Sequence, residues 1–309
     1  MGERQAPSYL QRYTAKQLAE RAGEAAARLE ACDLCPRLCG ANRLAGELGY
    51  CRAGALPRVA SHNVHHGEEP PISGTRGSGT IFFSRCTARC LFCQNYPISQ
   101  NGVGDDVTPH QLAGMMLDLQ RAGCHNINLV TPSHYAAQIL QAVALAARQG
   151  LHLPLLYNTN GYDRVETLRL LDGIIDIYLP DAKYADDQVA ARLSGLRGYV
   201  EANRAALAEM RRQVGGGLVL DEDGVAVRGL LIRHLVLPNG LSQTPEVLRW
   251  IAETLGTDTW VSLMSQYFPA HRAVGDPELG RRLRVREYRE ARQALEALGL
   301  EEGWCQELT

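Results

Sequence analysis

Six short apolar runs recur along the chain, and five of them are separated by segments with helical periodicity. The predicted strands cover residues 80–83, 126–130, 153–157, 174–179, 230–237 and 260–264. Parallel strands need long crossover connections, which are usually helices. The alternation therefore predicts one parallel sheet, wound into a barrel or part of one.

Cap and turn residues mark the ends of several predicted helices. Thr108-Pro109-His110-Gln111 is a capping box with proline at the first helical position. Further helices are predicted at residues 14–31, 198–214 and 284–298, and residues 215–228 read as a hairpin around Asp221-Glu222-Asp223-Gly224.

Each predicted strand ends in a polar loop. After the first strand these loops cover residues 131–135, 158–162, 181–183, 238–239 and 265–267. In barrels of this kind the chemistry lies on loops at the carboxyl ends of the strands. The sequence therefore predicts an active site on that rim.

Seven of the nine cysteines fall into two tight groups. Cys86, Cys90 and Cys93 have the spacing C-x3-C-x2-C and follow the first predicted strand. A [4Fe–4S] cluster held by protein alone takes four thiolates, so three leave one iron open. An open metal position distinguishes catalytic from structural sites.

The second group is Cys32, Cys35, Cys39 and Cys51, with the spacing C-x2-C-x3-C-x11-C in a glycine-rich stretch. Four thiolates on a short loop suit zinc or an iron–sulfur cluster, and reduced thiols or a redox pair remain as alternatives. The odd number of cysteines argues against a disulfide framework. Cys124 and Cys305 are expected to be ordinary thiols.

Composition narrows the class of protein and its partners. The net charge of -2 gives no indication of nucleic-acid or membrane binding, and no apolar run reaches the ~18 residues of a membrane span. Residues 1–7 lack the apolar core of a signal peptide, so we expect a cytoplasmic protein. We divide the chain into residues 1–77, with a helix, the four cysteines and an ordered connector carrying Glu68 and Glu69, and residues 78–309, with the barrel and the final helix.

Residues 77–269 resemble the pyruvate formate-lyase activating enzymes of the radical S-adenosylmethionine (SAM) superfamily. The resemblance rests on Cys86-Thr87-Ala88-Arg89-Cys90-Leu91-Phe92-Cys93, and the four amino-terminal cysteines extend it to a subgroup of activase homologues. The stretches that recur with them are Gly67-Glu68-Glu69-Pro70-Pro71-Ile72-Ser73-Gly74, Gly77-Ser78-Gly79-Thr80 and Asn126-Ile127-Asn128-Leu129-Val130-Thr131-Pro132. The implied fold is α/β, a partial (β/α)6 TIM-type barrel with a small amino-terminal cysteine-rich, metal-binding extension.

The resemblance also implies a site. Cys86, Cys90 and Cys93 would ligate a [4Fe–4S] cluster, and SAM would bind its open iron. Phe92 would lie against the adenine. Asp181 and Lys183 would lie near the carboxylate and ribose of SAM, and Arg233 would point inward from the fifth strand.

Three positions depart from the activase pattern. Thr131 and Ser133 stand where the activases have Gly-Gly-Glu, which receives the amine of SAM. Asn158 replaces a cation-binding aspartate ahead of Thr159-Asn160-Gly161, where Asn160 is a further candidate cofactor contact. Tyr267 replaces a histidine after the sixth strand.

We therefore expect an enzyme that cleaves SAM reductively to a 5′-deoxyadenosyl radical, which abstracts a hydrogen atom. The substrate is either a small molecule or a glycyl residue of a partner enzyme, and flavodoxin or ferredoxin would supply the electron. The alternative is a non-catalytic iron–sulfur electron carrier or metal-stapled binding protein, although a carrier has no use for an open iron.

Overall fold

The computed structural model describes residues 6–308, so the expectation drawn from the amino terminus lies largely outside the described residues. The strands are β1 (Arg58–His65), β2 (Ser78–Phe83), β3 (Asp105–Asp106), β4 (Ile127–Val130), β5 (Leu155–Thr159), β6 (Ile177–Pro180), β7 (Leu218–Leu220), β8 (Ala226–Leu235), β9 (Trp260–Met264) and β10 (Gly303–Cys305). The helices are α1 (Ser8–Arg12), α2 (Ala15–Ala27), α3 (Pro70–Ser73), α4 (Tyr96–Ser99), α5 (Pro109–Arg121), α6 (Ala136–Arg148), α7 (Val165–Leu171), α8 (Asp187–Ser194), α9 (Tyr199–Val214), α10 (Thr244–Trp250) and α11 (Val285–Ala297).

The strands form one mostly parallel sheet that does not close. Its order is β10-β9-β8-β6-β5-β4-β2-β1-β3, and β7 pairs with β8. The six predicted strands correspond to β2, β4, β5, β6, β8 and β9, and each pairs in parallel with its neighbour. The predicted α/β fold with a partial barrel is confirmed.

Alternate strand residues face opposite sides of the sheet. Leu129 and Tyr157 face outward and pack in the main core with helices α5 and α6. Leu156 and Leu179 face the inside of the barrel, where they pack against Ile72 of α3. Because Asn126, just before β4, donates to the Ile72 carbonyl (2.9 Å), α3 fills the amino-terminal end of the barrel. The carboxyl ends of the strands therefore border the opposite, more open end.

Strand β1 lies in the segment predicted as a connector. It pairs antiparallel with β2, so residues 58–65 belong to the barrel sheet. Five of its eight side chains are polar and only one residue is buried, which explains why no strand pattern appears in the sequence. The hairpin prediction is confirmed by β7 and β8, and the capping box at Thr108 is formed.

The four-cysteine loop (residues 32–51) is anchored at the carboxyl-end rim by Arg43. This arginine is 1% exposed and donates to the carbonyls of His134 (2.6 Å) and Gly54 (2.7 Å). His134 follows β4, so the anchor fixes the loop beside the polar rim. The helix before the loop, α2, packs on α6.

Candidate active site

The three-cysteine loop (residues 84–96) leaves the carboxyl end of β2. Arg85 adopts a left-handed conformation (φ 72°), which is rare outside glycine and turns the chain sharply from the strand into the loop. The Cys86 thiol receives the Ala88 backbone N–H (3.3 Å) and the Asn160 side-chain amide (3.4 Å). Such N–H donors suit a thiolate ligand.

The other two thiols face polar partners from neighbouring elements. Cys93 Sγ lies 3.1 Å from the Ser99 hydroxyl. Cys90 lies close enough to Lys183 for the ammonium to lower its pKa, although burial outweighs this and the pKa is raised. Burial raises the pKa of Cys86 to about 12. A bare thiol here stays protonated at neutral pH, and a bound metal would favour the thiolate instead.

Asn160 belongs to the loop after β5 and reaches the three-cysteine loop. Its side-chain amide donates to the Thr87 hydroxyl (2.9 Å) as well as to Cys86. Its carbonyl oxygen accepts the Tyr162 N–H (2.9 Å), which fixes the orientation of the amide. The next residue, Gly161, has φ 72°, and a Cβ there would lie 2.1 Å from the Asp181 carbonyl oxygen. Only glycine fits at this close approach of two rim loops.

Asp181 and Lys183 form an ion pair on the rim after β6, with 2.5 Å between Oδ2 and Nζ. Burial alone would lower the pKa of Lys183, but the carboxylate of Asp181 outweighs it and raises the pKa, so the ammonium is held charged. The Tyr199 hydroxyl lies 3.2 Å from the Asp181 carbonyl oxygen and accepts the Lys183 N–H (3.0 Å). The hydrogen bonds of Tyr199 thus fix the backbone that carries the ion pair.

The residues after β4 and within β5 divide between the two sides of the sheet. Thr131 has φ 61°, a strained conformation for a β-branched residue, and its N–H donates to the Asn158 carbonyl (2.8 Å). Asn158 faces the inside of the barrel, since its neighbours Tyr157 and Thr159 face outward. Ser133 is 2% exposed and bonds the Thr159 hydroxyl (3.0 Å). The structure therefore places Thr131 and Asn158 at the open end and directs Ser133 away from it.

Phe92 and Tyr267 meet in an apolar cluster beside the three-cysteine loop. Their ring centroids lie 5.8 Å apart in an edge-to-face arrangement. The Tyr267 hydroxyl donates to the Leu279 carbonyl (2.6 Å), and burial raises its pKa to about 12. Tyr267 therefore stays neutral, and its hydroxyl proton is used in the hydrogen bond to the Leu279 carbonyl.

Arg233 points into the barrel and pairs with Glu68 and Glu69, which the sequence analysis placed in an ordered connector. Its guanidinium bonds Glu69 through Nε (2.8 Å) and a terminal nitrogen (2.5 Å), and it also bonds Glu68. Asn128 donates to the second oxygen of Glu68 (3.0 Å). Burial would raise the pKa of Glu69, yet Arg233 lowers it, so both partners are ionised. No sequence signal connects residues more than 160 positions apart.

The four-cysteine loop brings its thiols close enough to affect one another. Burial raises the pKa of Cys35 to about 12, and the neighbouring thiolates of Cys51, Cys32 and Cys39 add to the effect. The N–H of Arg37 points at Cys35, as that of Ala88 does at Cys86. Across residues 6–308, no three His, Cys, Asp or Glu side chains are arranged as ligands of one metal ion. Each cysteine of a cubane binds a different iron, so that finding concerns single ions.

The two cysteine loops contact each other directly. From the four-cysteine loop, Arg37 donates to the Thr87 carbonyl (2.7 Å) and the Gly195 carbonyl (2.6 Å). In return Arg89 donates to the Tyr50 carbonyl (3.0 Å). Both guanidinium groups lie over the Tyr50 ring, at 3.3 and 4.9 Å from its centroid. Each loop thus holds a carbonyl of the other.

Comparison with known protein families shows what the segment carrying this site is similar to. Residues 80–220, which span the three-cysteine loop and strands β4 to β6, match the Radical SAM superfamily. This segment is therefore similar to the radical SAM domain. In that superfamily the domain uses a [4Fe–4S] cluster, SAM and a reductant.

One curated relative matches over most of this chain. It is Uncharacterized protein MJ0674 of Methanocaldococcus jannaschii, 29% identical over 279 residues, which cover 87% of this chain and 75% of the relative. The match extends well beyond the superfamily domain.

Two solved structures share the fold at low identity. Methylornithine synthase (PylB) covers 98% of this chain and 76% of its own at 14% identity, with a TM-score of 0.51. The FeFe-hydrogenase maturase HydG from Carboxydothermus hydrogenoformans covers 72% of this chain and 50% of its own at 12% identity, with a TM-score of 0.50. These similarities concern the fold alone. Among the described helices, none is long and apolar enough to cross a membrane.

Proposed function

We propose that the protein is a radical SAM enzyme whose site is built on Cys86, Cys90 and Cys93. The observation that carries the proposal is the position of three thiols, of which Cys86 receives two N–H donors, at the strand end where charged and polar side chains from other strands converge. A [4Fe–4S] cluster with SAM at its open iron would supply the reductive formation of a 5′-deoxyadenosyl radical, which removes a hydrogen atom from the substrate.

The chain's own residues would bind and orient the cofactor. Asn160 and the Ala88 N–H donate to Cys86 and stabilise its thiolate. Lys183 is held charged beside Cys90 and can meet the carboxylate of SAM. Asp181 orients Lys183, and Thr131 offers backbone and hydroxyl oxygens at the position where the activases receive the amine.

Other predicted contacts would act as walls or supports. Phe92 and Tyr267 form an aromatic wall, and the Leu279 bond of Tyr267 leaves only its ring for the adenine. Ser133 would act through Thr159 and the loop after β5. Asn158 faces the lumen and can offer an amide oxygen to a cation.

The substrate class stays open between a small molecule and a glycyl residue of a partner enzyme, as in the activases. Arg233 would not serve as a free cation for an anionic substrate, because Glu68 and Glu69 already engage its guanidinium. Its proposed role is to fix the floor of the lumen beneath the cofactor.

The amino-terminal part, residues 1–77, would act as an extension that carries a second thiolate-bound metal group, zinc or an iron–sulfur cluster. The cluster fits better, because no three side chains of residues 6–308 are arranged around one ion. The mutual proximity of its four thiols and the N–H donor at Cys35 support this proposal. Metal analysis of the Cys86→Ala/Cys90→Ala/Cys93→Ala variant would identify the group. Residual iron and sulfide indicate a cluster, about one zinc per chain indicates zinc, and no metal would contradict the proposal.

The activity itself can be assayed directly. After anaerobic reconstitution with iron and sulfide, dithionite-reduced protein should convert SAM to 5′-deoxyadenosine and methionine. The triple alanine variant should give none, while Cys305→Ala, outside both loops, should match the native protein. A reconstituted four-iron protein without product would instead favour an electron carrier.

A further inference from the structure

Arg43 carries its charge into the protein interior without a matching carboxylate. Its side chain is 1% exposed, yet its polar partners are two backbone carbonyls and the Cys32 thiol. Within residues 6–308, no Asp or Glu forms an ion pair with it. Arg233, which is also largely buried, instead bonds two carboxylates. A guanidinium stays protonated in proteins, so the charge of Arg43 needs an anion of another kind.

Apart from the thiols, the groups around this guanidinium are neutral. Two of its nitrogens donate to the Gly54 carbonyl (3.0 and 2.7 Å), and the third donates to the His134 carbonyl (2.6 Å). The Tyr135 ring lies 5.5 Å away, measured from its centroid to the guanidinium carbon. Burial lowers the pKa of His134 to about 3 and raises the pKa of Tyr135 to about 12, so both side chains are uncharged at neutral pH. Carbonyls and an aromatic face supply only partial charges.

The same guanidinium reaches both ends of the four-cysteine loop. One of its nitrogens lies 3.8 Å from Cys32 Sγ. It is also close enough to Cys51 to oppose the rise in pKa that burial causes there. Four thiolates outnumber the positive charges of Zn²⁺ or of an oxidised [4Fe–4S] core, so either group would be a net anion. Neutral thiols or a disulfide would leave the guanidinium without a counter-charge.

We propose that Arg43 is a positioning residue, the buried counter-cation of an anionic metal–thiolate group in the four-cysteine loop. The proposal rests on the accessory metal group of the proposed function. Loading that group would pair the cation and fix its side chain, and with it the bond to the His134 carbonyl. His134 in turn donates its Nε2–H to the carbonyl of Ser84 (3.0 Å), where the three-cysteine loop begins. The charge of the accessory group would thereby hold its loop against the rim of the proposed active site.

Two substitutions separate the charge of Arg43 from its shape. Arg43→Met keeps a long side chain without the charge, and Arg43→Lys keeps the charge without the fork of donors. Arg164→Met is the matched control. Arg164 also holds the four-cysteine loop, through the Asp33 carbonyl (3.0 Å), but it pairs with the carboxylates of Asp33 and Glu166.

The test uses the full-length Cys86→Ala/Cys90→Ala/Cys93→Ala protein as the parent, so that only the four-cysteine loop can hold a group. The parent and its variants are loaded anaerobically with iron and sulfide or, separately, with Zn²⁺, and a portion of each is stripped with a chelator. Scanning calorimetry gives the unfolding midpoint of both forms. Loading should raise the midpoint of the parent, and in Arg43→Met that rise should shrink by ~2 °C or more. In Arg43→Lys most of the rise should remain.

The control variant should behave differently. Arg164→Met should lower the midpoints of the loaded and stripped forms equally, because its counter-charges do not depend on metal. The same rise in Arg43→Met as in the parent would overturn the counter-cation role, and so would a rise lost completely in Arg43→Lys, which decides the matter if Arg43→Met does not fold. A parent that binds neither iron nor zinc would refute the accessory group itself and the role of Arg43 with it.

A second measurement follows the link to the rim. Amide hydrogen exchange in residues 131–136, which include His134, should slow on loading in the parent and in Arg43→Lys, but not in Arg43→Met. Residues 285–297 on helix α11 serve as the internal reference. Slowing of the same size in Arg43→Met would overturn the positioning role.

Discussion

The two cysteine loops differ in how they are embedded. The three-cysteine loop continues a central parallel strand, and its thiols face Asn160, Lys183 and Ser99 from other elements. The four-cysteine loop lies outside the sheet, places its thiols mainly beside one another, and leaves Cys39 exposed. The three thiols therefore lie where side chains from several strands converge, and the four thiols lie where few do. The proposed open catalytic site and the proposed accessory metal site would differ in this way.

The largest expected effect concerns the buried ion pairs of Arg233, which lie inside the barrel beneath the three-cysteine loop. Arg233→Gln leaves Glu68 and Glu69 buried without their cation, and removing one partner of a buried ion pair costs about 3–5 kcal/mol. The midpoint of urea unfolding should fall accordingly. The control is Arg228→Gln on the same strand, where the lost partners are a hydroxyl and a carbonyl and the loss should be smaller.

The two loops should respond differently to that change. Iron bound through Cys86, Cys90 and Cys93 should be retained less well in Arg233→Gln, whereas the metal of the four-cysteine loop should be unaffected at temperatures where the chain is folded. Equal loss of metal from both loops would show that the two loops do not differ in how they are embedded in the fold.

A smaller effect is expected where the loops meet. Arg37→Gln removes the bonds to the Thr87 and Gly195 carbonyls, and bonds from a charged donor contribute roughly 1.5–3 kcal/mol. The cluster should then be lost faster during anaerobic chelation. Arg52→Gln, an exposed position of the neighbouring segment, is the control and should behave as native. Unchanged chelation kinetics in Arg37→Gln would show that the loops are independent.

The smallest effect concerns the Asn160 amide. Asn160→Ser removes one hydrogen bond to Cys86, and a bond worth ~0.5–1.5 kcal/mol that favours the reduced cluster corresponds to a decrease in potential of roughly 20–60 mV. A redox titration without SAM, followed by electron paramagnetic resonance, measures the shift. Asn158→Ser, two residues earlier and within β5, should leave the potential unchanged. A shift of equal size in both variants would mean that Asn160 acts through loop packing.

The architecture was accessible from the sequence because its signals are local. Strand β9 covers the predicted residues 260–264, and Thr108 forms the predicted capping box. Strand β1 escaped prediction, because its polar, exposed residues gain their structure from pairing with β2. A local pattern of apolar and polar residues predicts elements whose burial is regular. It does not predict an element that is stabilised mainly by pairing with a neighbouring strand.

The residue types of the candidate site could be predicted from the sequence. The contacts that these residues make with one another could be predicted less well. The rim residues Asn160, Asp181 and Lys183 do lie around the three-cysteine loop. The partners of Arg233 were missed, because Glu68 and Glu69 reach it only once α3 enters the barrel. Equally, no pattern shows that the Tyr267 hydroxyl bonds Leu279. Such pairings depend on three-dimensional packing between distant segments.

The open iron is the central claim, and electron paramagnetic resonance of the reduced, reconstituted protein with and without SAM tests it most directly. A cluster held by Cys86, Cys90 and Cys93 should give a signal whose g-values change when SAM is added, and the Cys86→Ala/Cys90→Ala/Cys93→Ala variant should lack that response. A reduced cluster whose spectrum is the same with and without SAM would contradict the account.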